Sequence, residues 1–325
     1  MTSPQQQPTG TPEANEPVRV NHTARNTIIA IVVIALVAVA VFFGYRAVAG
    51  TSDSDAKGSK SNPITIGVVG ASDPQWPIFQ KKAEKAGIYV KLVDFQDYTS
   101  ENPAVDSGDL DLNEFQHLLY LANYNTQNNK DLQPIGGVAV YPLGVYSDKV
   151  KDIKDIAAGS TVAIPNDETN QARAIGVLKD AGLVKLNGDW TAFTSPADID
   201  TANSKVKVTP LKAEQVARSL SDPEVEAGVI NNDYVADAGL KATDAIYQDD
   251  AESESAHPYI NIFVSRKQDA TNATYLKLVK IFQTKEVQAG LQKNSDGTAV
   301  FVNQYSAKDL QGFLADIEQD AKNAQ

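Results

Sequence analysis

Arg173 offers the clearest chemistry in this sequence. It ends the stretch Val162-Ala163-Ile164-Pro165-Asn166-Asp167-Glu168-Thr169-Asn170-Gln171-Ala172-Arg173. The stretch reads as a short apolar strand stopped by Pro165, a polar turn, and a helix capped by Thr169 and begun by Asn170. That spacing predicts Arg173 in the first helical turn, where the helix dipole already carries partial positive charge. An anion resolves the conflict, because free backbone N–H groups and a planar guanidinium together seat a carboxylate. The alternative is a solvated arginine, or one paired with Asp167 or Glu168.

A second group suits an apolar ligand rather than a charged one. Phe115, His117 and Tyr120 fall at the start of what reads as one helix, beside Gln116, and Tyr98 follows an earlier strand. Aromatic walls with a polar rim fit a small apolar side chain. Core packing is the ordinary role of such rings and stands as the alternative. Asn231 directly follows the short strand Ala227-Gly228-Val229-Ile230.

Other chemistries find little support. With 325 residues and a net charge of −12, the chain lacks the clustered Lys and Arg that nucleic acid or an anionic surface needs. It has no cysteine, which removes disulfides, thiolate metal sites, cysteine nucleophiles and a lipidated cysteine. Its histidines are His22, His117 and His257, too few for a histidine-rich metal site. Gly67-Val68-Val69-Gly70-Ala71-Ser72 lacks the ending of a phosphate loop and reads as a tight turn. Asp109, Asp111 and Asn113 have calcium-loop spacing, but Glu114 and Tyr120 stand where that loop needs Gly and Glu. Neither G-x-S-x-G nor H-E-x-x-H occurs. No catalytic residue, metal ligand or cofactor is therefore assigned.

The elements that must position these residues begin late in the chain. Residues 1–26 are Pro-, Gln- and Asn-rich and read as a disordered tail, cytoplasmic by the flanking charges. Residues 27–45 are apolar and near the length that spans a bilayer, so they read as a transmembrane anchor, with a cleaved signal sequence as the alternative. Either reading exports the rest. Residues 46–63 read as a linker, polar and flexible from Thr51.

From Ile64 strands and helices alternate. Strands are predicted over Ile64–Gly70, Tyr89–Phe95, Val138–Tyr146 (broken by Pro142), Val162–Ile164, Lys205–Leu211, Ala227–Ile230 and Tyr259–Val264. Helices are predicted over Phe79–Lys85, Asn113–Tyr124 with Asp111 and Glu114 as a capping box, Asn170 to about Gly182, Tyr275–Leu291 and Leu310–Ala321. The pattern implies an α/β fold with mostly parallel sheets, in two lobes because of its size. Ligands in such folds bind beyond the carboxyl ends of strands, where Ser72, Asp73, Tyr98, Asn166 to Arg173 and Asn231 all fall.

Several short motifs, in order and spacing, resemble the methionine-binding (NlpA/MetQ-type) substrate-binding proteins of ABC importers. They are Phe95-Gln96-Asp97-Tyr98, Gly108 to His117, Tyr141-Pro142-Leu143, Ala163 to Asn170, Val229-Ile230-Asn231 and Pro258-Tyr259-Ile260-Asn261. The resemblance covers Ile64 to the C-terminus. It implies a two-lobed periplasmic-binding-protein fold, type II-like, with 64–145 plus 257–325 as one lobe and 146–256 as the other. Crossings are expected near Tyr141–Tyr146 and between Ala245 and Tyr259.

The resemblance further implies that Arg173 binds an amino-acid carboxylate and that Asn231, with Asn170 nearby, holds the amino-acid backbone. Tyr98, Phe115, His117 and Tyr120 would enclose the side chain. The implied partners are methionine or a related amino acid or peptide, an ABC permease with its ATPase, and the membrane through the N-terminal helix. Two departures stand out. Members are typically tethered through a lipidated cysteine, which this chain lacks, and Leu112, Glu114 and Leu119 replace residues common around the pocket motif. An α/β enzyme acting on an amino-acid derivative, or a surface interaction protein, are the alternative readings.

Overall fold

The structure is a computed structural model that describes residues 56–323. The expectations for residues 1–26 and 27–45, and for most of the 46–63 linker, lie outside the described residues. Among the described residues no helix is long and apolar enough to cross a membrane. The linker expectation fails from Ala56 onward. Gly58 N donates to Asn62 O at 2.8 Å, Tyr89 N donates to Gly58 O at 2.8 Å, and Lys57 Nζ lies 2.6 Å from Asp111. Polar, glycine-containing composition reads as coil, but here the same residues make a turn pinned to the sheet.

The first part of the chain runs β1 (Ile64–Val69), α1 (Gln75–Lys85), β2 (Val90–Phe95), α2 (Glu101–Ser107), β3 (Leu112–His117), α3 (Leu118–Asn128), β4 (Gln133–Gly137) and β5 (Ala139–Val140). The middle part runs β6 (Gly144–Tyr146), β7 (Thr161–Pro165), α4 (Glu168–Asp180), β8 (Lys207–Leu211), α5 (Ala213–Ser219), β9 (Val225–Ile230), α6 (Asn232–Val235) and β10 (Tyr247–Gln248). The chain then returns through β11 (Asn261–Ser265), α7 (Ala273–Phe282), α8 (Lys285–Asn294), β12 (Val300–Phe301) and α9 (Ala307–Asn323).

Two five-stranded sheets result, ordered β2-β1-β3-β11-β4 and β10-β6-β9-β7-β8. Each is mixed rather than mostly parallel. β1 pairs in parallel with β2 and β3, and β7 with β8 and β9, whereas β11, β6 and β10 pair antiparallel. Antiparallel pairs occur in both sheets where the chain passes between them. β1 explains its place at once: Ile64, Ile66 and Val68 alternate onto one face of the strand and are fully buried there. On one face Trp76, Phe79, Phe263 and Phe282 form an aromatic core, with Phe282 centred 5.3 Å from Trp76 and 5.0 Å from Phe263. Each such ring contributes roughly 1.5–3 kcal/mol by burial. The second sheet has its own core around Val162, Ile164, Ile175, Leu178 and Val229. A further cluster joins the halves, with Tyr98 and Phe115 of the first packed among Tyr146, Ile230 and Tyr234 of the second.

Four sequence expectations are corrected. The predicted helix Asn113–Tyr124 is instead the strand β3 followed by α3. Its helical spacing loses to two ladders, because β3 lies between β1 and β11. The capping box dissolves with it: Asp111 accepts from Thr65 N at 2.7 Å, Thr65 Oγ1 at 2.8 Å and Tyr275 OH at 3.2 Å. The helix predicted over Tyr275–Leu291 is two, α7 and α8, broken where Gln283 Nε2 donates to Gly137 O at 2.9 Å. The helix placed at Phe79–Lys85 begins earlier, at Gln75. The Gly67–Ser72 turn is tight, with Gly70 at φ +75° and Asp73 N bonded to its carbonyl at 3.0 Å.

Candidate functional site

The arginine stretch starts its helix two residues earlier than its sequence reading places it. Asp167, not Thr169, caps α4, accepting from Asn170 N at 3.0 Å and from Thr169 Oγ1 at 3.1 Å. An aspartate cap is as good as a threonine one, and Asp167 wins because its carboxylate also accepts from Asn170 Nδ2, at 3.0 and 3.1 Å. The helix therefore starts at Glu168, and Arg173 lies in its second turn, away from the dipole's positive end. Neither Asp167 nor Glu168 pairs with Arg173. Its partner is Asp249, with Nε to Oδ2 at 2.7 Å and Nη2 to Oδ1 at 3.2 Å. Nη2 also donates to Tyr141 O at 2.9 Å, and the guanidinium carbon lies 4.1 Å from the Tyr259 ring centre. Arg173 is only 6% exposed, so a solvated surface charge is not what the fold makes of it.

The aromatic residues are delivered by β3, not by a helix. Between Ile262 and Phe263 the β3–β11 register slips, pairing Ile262 with Gln116 and Phe263 with Glu114 and leaving Phe115 as an extra residue. Such a bulge re-aims side chains. Three buried amides brace it. Asn102 Nδ2 donates to Gln116 Oε1 at 2.8 Å, Gln116 Nε2 to Asn113 Oδ1 at 2.9 Å, and Asn113 Nδ2 to Asn102 Oδ1 at 2.9 Å. Phe115 and Tyr120 then stand edge to face at 5.8 Å, with Tyr98 5.8 Å from Phe115.

His117 ends β3 and caps α3, its Nδ1 accepting from Tyr120 N at 3.1 Å. Burial first, and the nearby Arg173 charge second, hold its pKa down at about 3, so it is neutral and the proton sits on Nε2. Nε2 lies 3.3 Å from Asn170 Oδ1, and Asn231 Nδ2 donates to the same oxygen at 2.9 Å. Asn170 thus spends its amide on Asp167 and its carbonyl on His117 and Asn231. Asn231 is left with a buried Oδ1 that has no partner. A buried acceptor of this kind costs roughly 1–3 kcal/mol unless something donates to it.

All seven predicted residues line one cavity. Tyr98, Phe115, His117 and Tyr120 come from the first half and Asn170, Arg173 and Asn231 from the second, joined by Gln116, Tyr141, Asp233 and Asn261. The space a water's centre can reach is about 40 Å³, roughly three waters' worth. Across the seam Tyr98 OH donates to Asp233 Oδ2 at 2.7 Å. Asp233 stays open to water yet lies deep between the halves. Lost hydration pushes its carboxyl up to about 6, against the pull of the Tyr98 bond. Asp249, Asp233 and Tyr259 are the contacts that sequence reading passed over. Asp249 opens an acidic run with Asp250 and Glu252, and nothing in that run separates it from solvent-facing neighbours. Among the described residues no His, Cys, Asp and Glu cluster could hold a metal ion.

Comparison with known proteins agrees with this architecture. A D-methionine-binding lipoprotein MetQ from Salmonella typhi is 36% identical over 266 residues, covering 81% of this chain and 96% of that protein. The crystal structure of protein PG110 from Staphylococcus aureus matches with a TM-score of 0.74 at 36% identity, over 78% of this chain and 99% of that one. A nutrient binding protein from Burkholderia cenocepacia, solved bound to methionine, matches with a TM-score of 0.67 at 38% identity, over 73% and 99%. The fold is thus a mixed α/β fold of the kind found in periplasmic substrate-binding proteins. With residues 64–302 matching the NlpA lipoprotein family as a whole, the chain belongs to that family.

Proposed function

We propose that this protein is the extracytoplasmic substrate-binding protein of an ABC importer, binding L-methionine or a close relative between two lobes and delivering it to the permease. Residues 64–145 plus 257–325 would form one lobe and 146–256 the other. No bond is made or broken in this role. One observation carries the reading: a single cavity joins an arginine with unspent N–H groups to a buried carbonyl with no donor. Arg173 Nη1 has no acceptor among the described residues, and Asn231 Oδ1 has no partner. A carboxylate and an ammonium are the complements of these two groups, and a zwitterionic amino acid carries both. Tyr98, Phe115, His117 and Tyr120 would surround its side chain, and the names of the relatives favour methionine as that amino acid.

The cavity holds only a few waters, so an amino acid enters as the lobes part and is enclosed as they close, shifting the population towards the closed form. Residues 27–45 would anchor the chain in the cell membrane as a single span in place of a lipid, the apolar run being the support. Mass spectrometry of the native N-terminus tests the anchor, since a start near Gly50 would mean cleavage. For the site, Arg173→Ala should weaken methionine binding about a hundredfold or more by calorimetry. Unchanged affinity in a folded variant would sink the carboxylate assignment.

A further inference from the structure

Arg173 lies between two cavities. One is the site above. The other, of about 400 Å³, is lined by Arg173, Trp190, Tyr247, Tyr259 and Asp249. Asp249 does not line the first cavity, so it holds the guanidinium from behind as seen from the ligand's side. Its grip uses the Nε/Nη2 edge, at 2.7 and 3.2 Å. Tyr141 O takes a further Nη2 hydrogen at 2.9 Å, and Tyr259 stacks on the guanidinium face. Of five N–H donors, the two on Nη1 remain. Asp249 is itself fixed, because Oδ1 also accepts from Leu143 N at 2.8 Å.

These contacts join three places in the fold. Leu143 and Tyr141 lie where the chain passes from β5 to β6, Asp249 lies just past β10 where it starts back, and Arg173 is on α4. We infer that Asp249 is a positioning residue for ligand recognition: it turns Arg173 so that Nη1 alone meets a carboxylate, and it ties that guanidinium to both connections between the halves. Asp249 touches no ligand in this arrangement. It acts through Arg173, as outer partners of binding groups commonly do, with roughly 10–100-fold effects when removed from metal sites. The inference rests on the amino-acid-binding reading.

The test compares L-methionine with L-methioninamide, which keeps the ammonium and side chain but has no carboxylate. Affinities are measured by calorimetry on the full-length protein. Asp249→Asn keeps an oxygen for Leu143 N but turns an amide donor or loses a charge against Arg173. It should lower methionine affinity about 10–100-fold while changing methioninamide affinity less than about threefold. In an Arg173→Ala background the same change should have no further effect on methionine. Equal losses for both ligands would make Asp249 merely structural and overturn the inference. So would tighter methionine binding, since Asp249 would then be only a counter-charge. A second variant covers the case in which Asp249→Asn fails to fold. In Arg173→Lys, Asp249 should capture the ammonium, with methionine binding weakened as far as in Arg173→Ala; affinity within threefold of wild type overturns the inference. Wild-type protein that binds no methionine refutes the amino-acid reading and this inference with it, whereas wild-type binding with unaltered selectivity in Asp249→Asn refutes the inference alone.

Discussion

Tyr98→Phe removes one oxygen at the seam and little else. The ring keeps its neighbours, centred 5.8 Å from Phe115, 6.2 Å from Tyr120 and 5.3 Å from Tyr234. The backbone carbonyl of Tyr98 still accepts from Tyr120 OH at 2.8 Å. What disappears is the 2.7 Å bond to Asp233, which links the first half of the fold to the second. A hydrogen bond to a charged group contributes about 1.5–3 kcal/mol. Asp233 is open to water and can be rehydrated, so about 1–2 kcal/mol is the better figure, a factor of roughly 5–30 in an equilibrium constant. If closure around the ligand depends on this bond, calorimetry should show methionine affinity falling by that factor. The melting temperature without ligand should change little. Asp233→Asn should reproduce part of the loss, and the double variant should fall short of the sum of the two. An affinity within twofold of wild type in Tyr98→Phe would refute the claim that the bond holds the halves together.

Stability should depend on pH from both sides. His117 has a folded pKa near 3 against an ordinary value of 6.5, so below pH 6.5 the unfolded chain binds the proton first and stability falls towards pH 3. By pH 4.5 the loss is about 2–3 kcal/mol, and melting curves of His117→Gln should show a flatter acid limb. Glu101 acts in the opposite sense. Burial raises its pKa from 4.5 to about 8, the folded state holds the proton longer, and stability falls as pH rises between those values. Its carboxylate is fully buried, and lost hydration outweighs the Glu101 and Ser100 backbone N–H groups near it, so Glu101→Gln should stabilise the protein by about 2–4 kcal/mol at pH 8 and by almost nothing at pH 4.5. Gly67→Ala should destabilise by about 1–3 kcal/mol in denaturant titration, because its Cβ would come within 2.6 Å of Leu110 Cδ1 in a packed core.

The strands were legible because their apolar runs are short and bounded by turn residues; β1, β7 and β9 lie where Ile64–Gly70, Val162–Ile164 and Ala227–Ile230 put them, within a few residues. β3 was not, because Leu112-Asn113-Glu114-Phe115-Gln116-His117 has neither alternation nor a turn before Leu118. Its identity as a strand comes from partners about 50 residues before it and 145 after it, which no local window contains. The candidate site was legible as a set of positions beyond strand ends, and Tyr98, Arg173 and Asn231 share a cavity on that account. The partner of Arg173 was not. Asp249 lies 76 residues away, and local spacing could offer only Asp167 and Glu168.

That miss changes what the arginine can be expected to do. An arginine in the first turn of a helix would need an anion to offset the dipole, and any carboxylate would serve. In the second turn, with Asp249 already paired, the charge is balanced before a ligand arrives. The protein's selectivity must then come from direction more than from net attraction. One edge of the guanidinium is left, and one carbonyl of Asn231 is fixed by the chain Asp167, Asn170, Asn231. A fixed donor and a fixed acceptor reject ligands that satisfy only one of them, because the other stays buried and unpaired at roughly 1–3 kcal/mol. On the proposed amino-acid-binding reading, Asp167 is therefore as consequential for a ligand's ammonium end as Asp249 is for its carboxylate end. Asp167→Ala removes the acceptor that orients Asn170, frees its amide to rotate, and should erode affinity for methionine more than for an analogue lacking the amino group, with comparable losses for both refuting this relay.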